Sequence, residues 1–282
     1  MDDLIELLSY PFNQRALLAA TIIGLLNGYL SGYVVARRAA LFTGALSHTL
    51  LPGIAVGILL FGVGMISNFI GALAAAMIVA LGALAIGRNT RVDRDSALAI
   101  LYTTSFSAGL LMLDSLPVSV EINSILFGNI LGLADTDLWL IFGVAGVALS
   151  VLILLQRPLQ LMLFEPDVAR SLGVPVGPLQ YVMVGLLVLT LVTSLQAVGA
   201  ILSLGLLVTP GAIMMLFVTS PRKLFWGGGF VGVACSLAAI VVSNALDIRT
   251  GAAIVLFLGL VFFLSLVLNL GGRHLNKRTI RS

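Results

Sequence analysis

Residues 39–87, "AALFTGALSHTLLPGIAVGILLFGVGMISNFIGALAAAMIVALGALAIG", contain no aspartate, glutamate, lysine or arginine. A helix crosses the hydrocarbon core with about 20 apolar residues. This stretch is therefore too long for one span and long enough for two, with "FGVGMISN" (61–68) supplying the glycines and polar residues of a turn. Further charge-free runs lie on either side, at 16–36, 96–113, 138–156, 171–221, 224–246 and 250–272. The run 171–221 also has the length of a pair, with "TSLQAVG" (193–199) as its turn. Five single spans and two pairs make nine, or eight if one short segment is re-entrant. The composition agrees: 60% of the 282 residues are hydrophobic and 10% are charged, against about 25% charged in a soluble domain. The expected fold class is an all-α polytopic membrane protein, with residues 1–282 forming a single transmembrane domain.

Orientation follows from the basic residues, which concentrate on the cytoplasmic side. With the N-terminus outside and the C-terminus inside, nine alternating spans place thirteen of the fifteen Lys and Arg residues inside, leaving Arg15 and Arg249 outside. The opposite orientation inverts that ratio. Because the basic residues cluster at segment ends, the net charge of +3 is no nucleic-acid footprint. The acidic start, "MDDLIELLSYPFNQR", lacks the basic n-region and small-residue cleavage site of a secretory signal. The single cysteine, Cys235, rules out a disulfide framework and reads as a small buried side chain.

Two segments are not expected to span. Residues 121–137, "EINSILFGNILGLADTD", are apolar but too short to cross. They lie along the outer surface or dip in and return, either beside a pathway or as a packed plug. On the inner side, the loop 164–175 carries the punctuation of a short helix. Pro166 suits the first helical position and Asp167 favours the dipole of the first turn. Gly173 suits the left-handed residue after the helix, and Pro175 forbids continuation. A capped helix of about two turns inside a connector reads as a docking element or as an interfacial helix.

Several chemistries lack their motifs. There is no G-x-x-x-x-G-K-[ST] phosphate loop, no H-E-x-x-H, no acid pair within the spans and no C-x-x-C. His48 is the histidine that falls inside a span, preceded by Ser47 and followed by Pro52. In one continuous helix over 41–60, Gly44, His48 and Pro52 follow at i, i+4 and i+8 along one face. Pro52 has no N–H to give the carbonyl four residues back, which is that of His48. Pro210, in "LGLLVTPGAIMM", frees the carbonyl of Leu206 in the same way. An imidazole beside an unpaired oxygen is costly in hydrocarbon unless it faces protein or water. It is either a hydrogen-bonded packing residue or a contact for a transition-metal ion.

Four segments, "ARRAALFTGALSHTLLPGIAVG", "ILFGNILGLADTDLW", "FEPDVARSLGVPV" and "SLQAVGAILSLGLLVTPGAIMM", resemble, in order, signatures of the membrane (permease) subunits of bacterial ATP-binding-cassette importers for manganese, zinc and iron. The resemblance runs from about residue 10 to 270. It implies a type II importer-like permease in the bacterial cytoplasmic (inner) membrane. Its expected partners are a cytoplasmic ATP-binding subunit, an extracytoplasmic metal-binding protein and a second copy or paralogue of the permease. No cofactor is held permanently: the cargo is a divalent ion (Mn, Fe or Zn), and ATP belongs to the partner subunit. On this reading the chain is not itself an enzyme. The resemblance makes 164–175 the coupling loop, with Glu165, Asp167, Ala169, Arg170 and Gly173 meeting the ATPase. His48 and Glu121 become the candidate metal contacts, and Gly44, Ser47, Pro52, Ser124, Asn129 and Pro210 the candidate pathway or gating residues. Two positions depart from the family pattern: Gly44 stands where the family usually has Asp, and Ser124 where manganese and iron members often have His. Either the transient site is weaker and more hydrated, or the cargo is not a bare divalent ion. The few remaining ligands, with oxygen prominent, lean toward manganese or iron over zinc. The rival reading is a stand-alone secondary metal carrier, for which His48 would be the one ionisable coupling residue within the spans.

Overall fold

The computed structural model describes residues 11–62, 64–114, 133–246 and 248–279. Every regular element in them is a helix: α1 (Pro11–Ala36), α2 (Ala40–His48), α3 (Leu50–Phe61), α4 (Met65–Asn89), α5 (Arg94–Asp114), α6 (Asp135–Leu154), α7 (Gln156–Phe164), α8 (Pro166–Ser171), α9 (Val176–Val198), α10 (Ala200–Phe217), α11 (Pro221–Leu246) and α12 (Thr250–Thr279). Among the described residues, eight spans are long and apolar enough to cross a membrane, with α2 and α3 together forming one of them, Ala40–Phe61. The ninth expected span, 96–113, is present as the 21-residue α5. It has the length to cross, and "YTTSFS" (102–107) places a run of hydroxyls in its middle.

Both expected turns stand where the glycines allow them. The first pair breaks at Gly62, with φ +80°, and the second at Gly199, with φ +84°; glycine adopts that left-handed backbone without a Cβ clash. The continuous helix expected over 41–60 is corrected. It breaks at Thr49, whose N–H turns to the Leu46 carbonyl, three residues back, at 3.0 Å. Pro52 is the cause: its ring crowds the His48 carbonyl and offers that carbonyl no donor, so the chain tightens one turn earlier. Pro210, by contrast, sits inside an unbroken α10.

Lipid tails are as apolar as leucine, so helices in a bilayer associate by close packing rather than by burying oil from water. Glycines make that packing possible here. α1 lies along α11 with Gly24 against Gly232 and Gly28 against Gly228; a Cβ on Gly24 would sit 2.9 Å from the Gly232 carbonyl oxygen. α5 meets α3 in the same manner, and a Cβ on Gly109 would fall 2.6 Å from the Cα of Pro52. Asn27 of α1, fully buried, donates to Ser194 Oγ of α9 at 2.8 Å.

Polar ties at the two ends of the bundle show which loops share a side. At one end Arg15 pairs with Asp135 at 2.9 Å. At the other, Arg37 donates to the Met162 carbonyl at 3.1 Å. Arg88 donates to Gln180, and its guanidinium lies 4.7 Å from the centre of the Tyr181 ring. Arg37, Arg88 and the loop 157–177 therefore lie on one side, as the distribution of basic residues implied, and Arg15 and Asp135 lie together on the other.

Candidate functional site

His48 is the last residue of α2 and is exposed on the surface of the chain. Two rings of α5 flank its imidazole. Phe106 stands edge-on with centroids 5.9 Å apart, and Tyr102 is tilted at 6.2 Å. With aromatic rings on one flank and its side chain exposed, the imidazole is accessible to a ligand, and imidazole is a good transition-metal ligand. The residue after it, Thr49, is buried, and its hydroxyl donates to the Leu46 carbonyl at 2.8 Å. Buried Pro52 continues the turn against Gly109. The break that Pro52 causes thus falls directly after the histidine, and α5 braces both sides of it.

The other expected pathway residues divide. Ser47 is half-buried and donates weakly to the Thr43 carbonyl at 3.4 Å. Gly44 is half-buried one turn before His48. A Cβ there would touch only Leu204 of α10, at an ordinary 3.6 Å, so the position has room for a side chain. Pro210 is buried, and its neighbour Gly211 packs backbone to backbone against Ser31 and Gly32 of α1. Glu121, Ser124 and Asn129 lie outside the described residues, as does most of the segment 121–137; its last residues, Asp135 to Asp137, open α6. Among the described residues no three of His, Cys, Asp and Glu gather into a metal-holding group.

The short helix α8 is built as its punctuation implied. Pro166 begins it and Glu165 precedes it, with the Glu165 carbonyl accepting the Ala169 N–H at 2.9 Å. At its end Gly173 has φ +76°. The Gly173 N–H goes to the Arg170 carbonyl at 3.1 Å and the Val174 N–H to the Ala169 carbonyl at 2.9 Å, the paired bonds of a Schellman termination. Asp167 and Arg170 form an exposed ion pair at 3.1 Å. Ala169 is buried and anchors the helix, while Val168 and Leu172 are 42% and 68% exposed. A rigid knob with two outward apolar side chains has the form of a docking element.

Sequence reasoning passed over two features. One is the pair of arginine ties on the flanks of this knob, Arg37 to Met162 before it and Arg88 to Gln180 after it. The other is the set of hydroxyls on α5, for which the signal was the density of Ser and Thr in "YTTSFS".

Comparison with known proteins follows the same lines. The family model described as the ABC 3 transport family matches residues 9–269. The chain belongs to the ABC 3 transport family. It is 36% identical over 261 residues to the manganese transport system membrane protein MntC of Halalkalibacterium halodurans, covering 92% of this chain and 88% of that one. It is 35% identical to the chelated iron transport system membrane protein YfeD of Yersinia pestis, covering 94% and 88%. Its structure resembles PsaBC from Streptococcus pneumoniae, solved in complex with Fab, with a TM-score of 0.81 and 28% identity over 94% of each chain. A second solved structure, an inward-facing ABC transporter provisionally classed as metal-chelate type, superposes with a TM-score of 0.70 at 20% identity, covering 90% of this chain and 85% of that one. The fold is thus type II ABC importer-like. As an ABC 3 family member the chain is a multi-pass membrane permease subunit whose ATP hydrolysis resides on a separate subunit. That energy source displaces the stand-alone carrier.

Proposed function

We propose that this chain is the permease through which an ATP-driven importer passes a divalent transition-metal ion, manganese or iron in preference to zinc, with His48 as a transient contact. The observation that carries the reading is an exposed imidazole at a helix break within the span Ala40–Phe61, flanked by aromatic rings. An exposed polar ring at that depth is stabilised by water or a partner rather than by lipid. The relatives named for manganese and for chelated iron support the cargo. In this reading the N-terminus faces out and the C-terminus faces the cytoplasm. A second permease copy or paralogue covers the His48 face, an extracytoplasmic binding protein delivers the ion, and a cytoplasmic ATPase receives α8. Glu121 is the acid on the outer approach.

Chemically, a single imidazole with few neighbours holds an ion briefly, as conduction requires: binding must be favourable enough to enter and weak enough to leave. The test is uptake of radiolabelled manganese, iron and zinc at matched membrane expression. His48→Leu should abolish uptake while the subunit still inserts and assembles, because leucine keeps the apolar bulk and removes the nitrogen. Gly44→Asp, for which the structure has room, should tighten retention of the same cargo and slow its release. Full uptake by His48→Leu would make the histidine a packing residue and refute the site.

A further inference from the structure

α5 differs from the other long helices in where it puts its hydroxyls. Elsewhere in the spans, serines and threonines are tucked inward: Thr43, Thr190, Ser194, Ser203 and Ser236 are all buried. Beyond the first turns of α5 and α6, the exposed serines and threonines in the described spans are Thr103, Thr104 and Ser107 on α5 and Ser150 on α6. The three on α5 fall within one turn of one another, at i, i+1 and i+4, and so share a side of the helix. They also occupy the middle of the 21-residue helix rather than its wet ends.

Their bonding gives that side a chemical character. Thr103 Oγ1 donates to the Ala99 carbonyl at 2.7 Å, and Ser107 Oγ donates to the Thr103 carbonyl at 2.9 Å. With the Thr103 and Ser107 protons spent on the helix backbone, the lone pairs of these two oxygens remain as acceptors. Oxygen acceptors suit water and hard divalent cations. The face also adjoins the proposed ion contact: Tyr102 and Phe106, which flank His48, each immediately precede one of the hydroxyls, Thr103 and Ser107.

We propose that Thr103, Thr104 and Ser107 form a wall of the aqueous path along which the hydrated ion approaches and leaves His48. The proposal rests on the function given above. It gives the exposed mid-helix hydroxyls of α5 a role, since a helix lining water carries polar groups that a lipid-facing helix does not. The oxygens act as positioning groups, receiving hydrogen bonds from the ion's water shell and so letting it pass without stripping.

The test uses the assembled transporter in membranes, with Cys235→Ala to remove the native thiol. Thr103→Cys and Ser107→Cys are compared with Phe230→Cys and Leu264→Cys, whose parent side chains are 73% and 63% exposed on wholly apolar surfaces. Each is treated with a membrane-impermeant, water-soluble thiol reagent, with and without manganese. Because the reaction needs a solvated thiolate, the α5 positions should react faster by on the order of tenfold or more, and manganese should slow them. Thr103→Val should reduce uptake several-fold and Thr103→Ser should restore it. Reactivity at 103 and 107 no greater than at 230 and 264 would overturn the proposal, because lipid or dry protein would then cover the face. Failure of the function itself has a different signature: the α5 thiols react readily, while His48→Leu keeps full uptake.

Discussion

At the residue scale, Asp93 shows how the boundary of the hydroxyl-bearing helix α5 is held. Its carboxylate accepts the Ser96 hydroxyl at 2.6 Å and the Ser96 N–H at 2.8 Å, capping α5. Those bonds hold the Asp93 carboxyl below the usual aspartate range. A folded-state value below the unfolded one gives stability that is present above the unfolded value, about 3.9, and is lost as pH falls through the folded value. Asp93→Ala should therefore lower the melting temperature by the same margin at pH 8 and at pH 6, and the difference should close only in strong acid. Asp93→Asn, an equally good cap, should melt like the native protein at neutral pH. Thermal unfolding of the purified subunit checks both; a margin that changed between pH 8 and 6 would refute the cap. Much of the His48 neighbourhood was legible before the structure: the carbonyl freed by Pro52 follows from the spacing alone. That the helix would yield at Thr49, and that the imidazole would face outward against Phe106 and Tyr102, was not legible. Both depend on where α5 lies, and a single helix does not encode its neighbour.

At the element scale, α8 was readable to within a residue because each of its signals is local. Pro166, Asp167, Gly173 and Pro175 act through their own backbones. The same holds for the breaks at Gly62 and Gly199. What local signals could not reveal is how the knob is joined to the bundle. Arg37 ties its upstream flank to the end of α1, immediately before α2 carries His48, and Arg88 ties its downstream flank to the end of α4. A push on α8 thus reaches the helix that bears the histidine through one short connection. Gly173→Val places a Cβ at φ +76°, at a cost of about 1–2 kcal/mol. That is too little to unfold a bundle of this size but enough to turn Val168 and Leu172 away from the geometry proposed to dock. The expected outcome is a subunit that inserts normally and no longer co-purifies with its ATPase. Normal co-purification with normal uptake would show that the knob does not dock.

At the scale of the whole molecule, charge bias and contact geometry converge on one arrangement, with Arg37, Arg88 and α8 at one end and Arg15 and Asp135 at the other. The positive-inside bias predicts that the first of these ends meets the cytoplasm. With Cys235→Ala as background, Thr136→Cys should be labelled by an impermeant thiol reagent in intact cells. Ser171→Cys should be labelled only after permeabilisation; both parent residues are exposed. The reverse pattern would invert the importer. The positions of the long helices were legible from charge-free runs because hydrocarbon excludes charge, while the structure gives eight candidate spans among the described residues against nine expected. The glycine-on-glycine seam between α1 and α11 was not, because Gly24, Gly28, Gly228 and Gly232 are meaningful only as a facing pair.

The break at Thr49 also has an electrical consequence. His48 ends the nine-residue α2, and the twelve-residue α3 follows the break, so in the proposed orientation somewhat more than half of the span Ala40–Phe61 would lie on the outer side of the imidazole. An ion reaching it from outside has fallen through much of the membrane voltage. One elementary charge gains about 2.3 kcal/mol per 100 mV across the full field. In that orientation a doubly charged ion at this depth would gain up to about 3 kcal/mol per 100 mV, on the order of a hundredfold in occupancy. ATP drives the cycle, yet the resting potential should still help load it. Collapsing the potential with an ionophore at constant ATP should raise the manganese concentration that half-saturates uptake and leave the maximal rate nearly unchanged. A half-saturating concentration indifferent to voltage would mean that the vestibule above His48 is wide enough to carry the external potential down to the histidine.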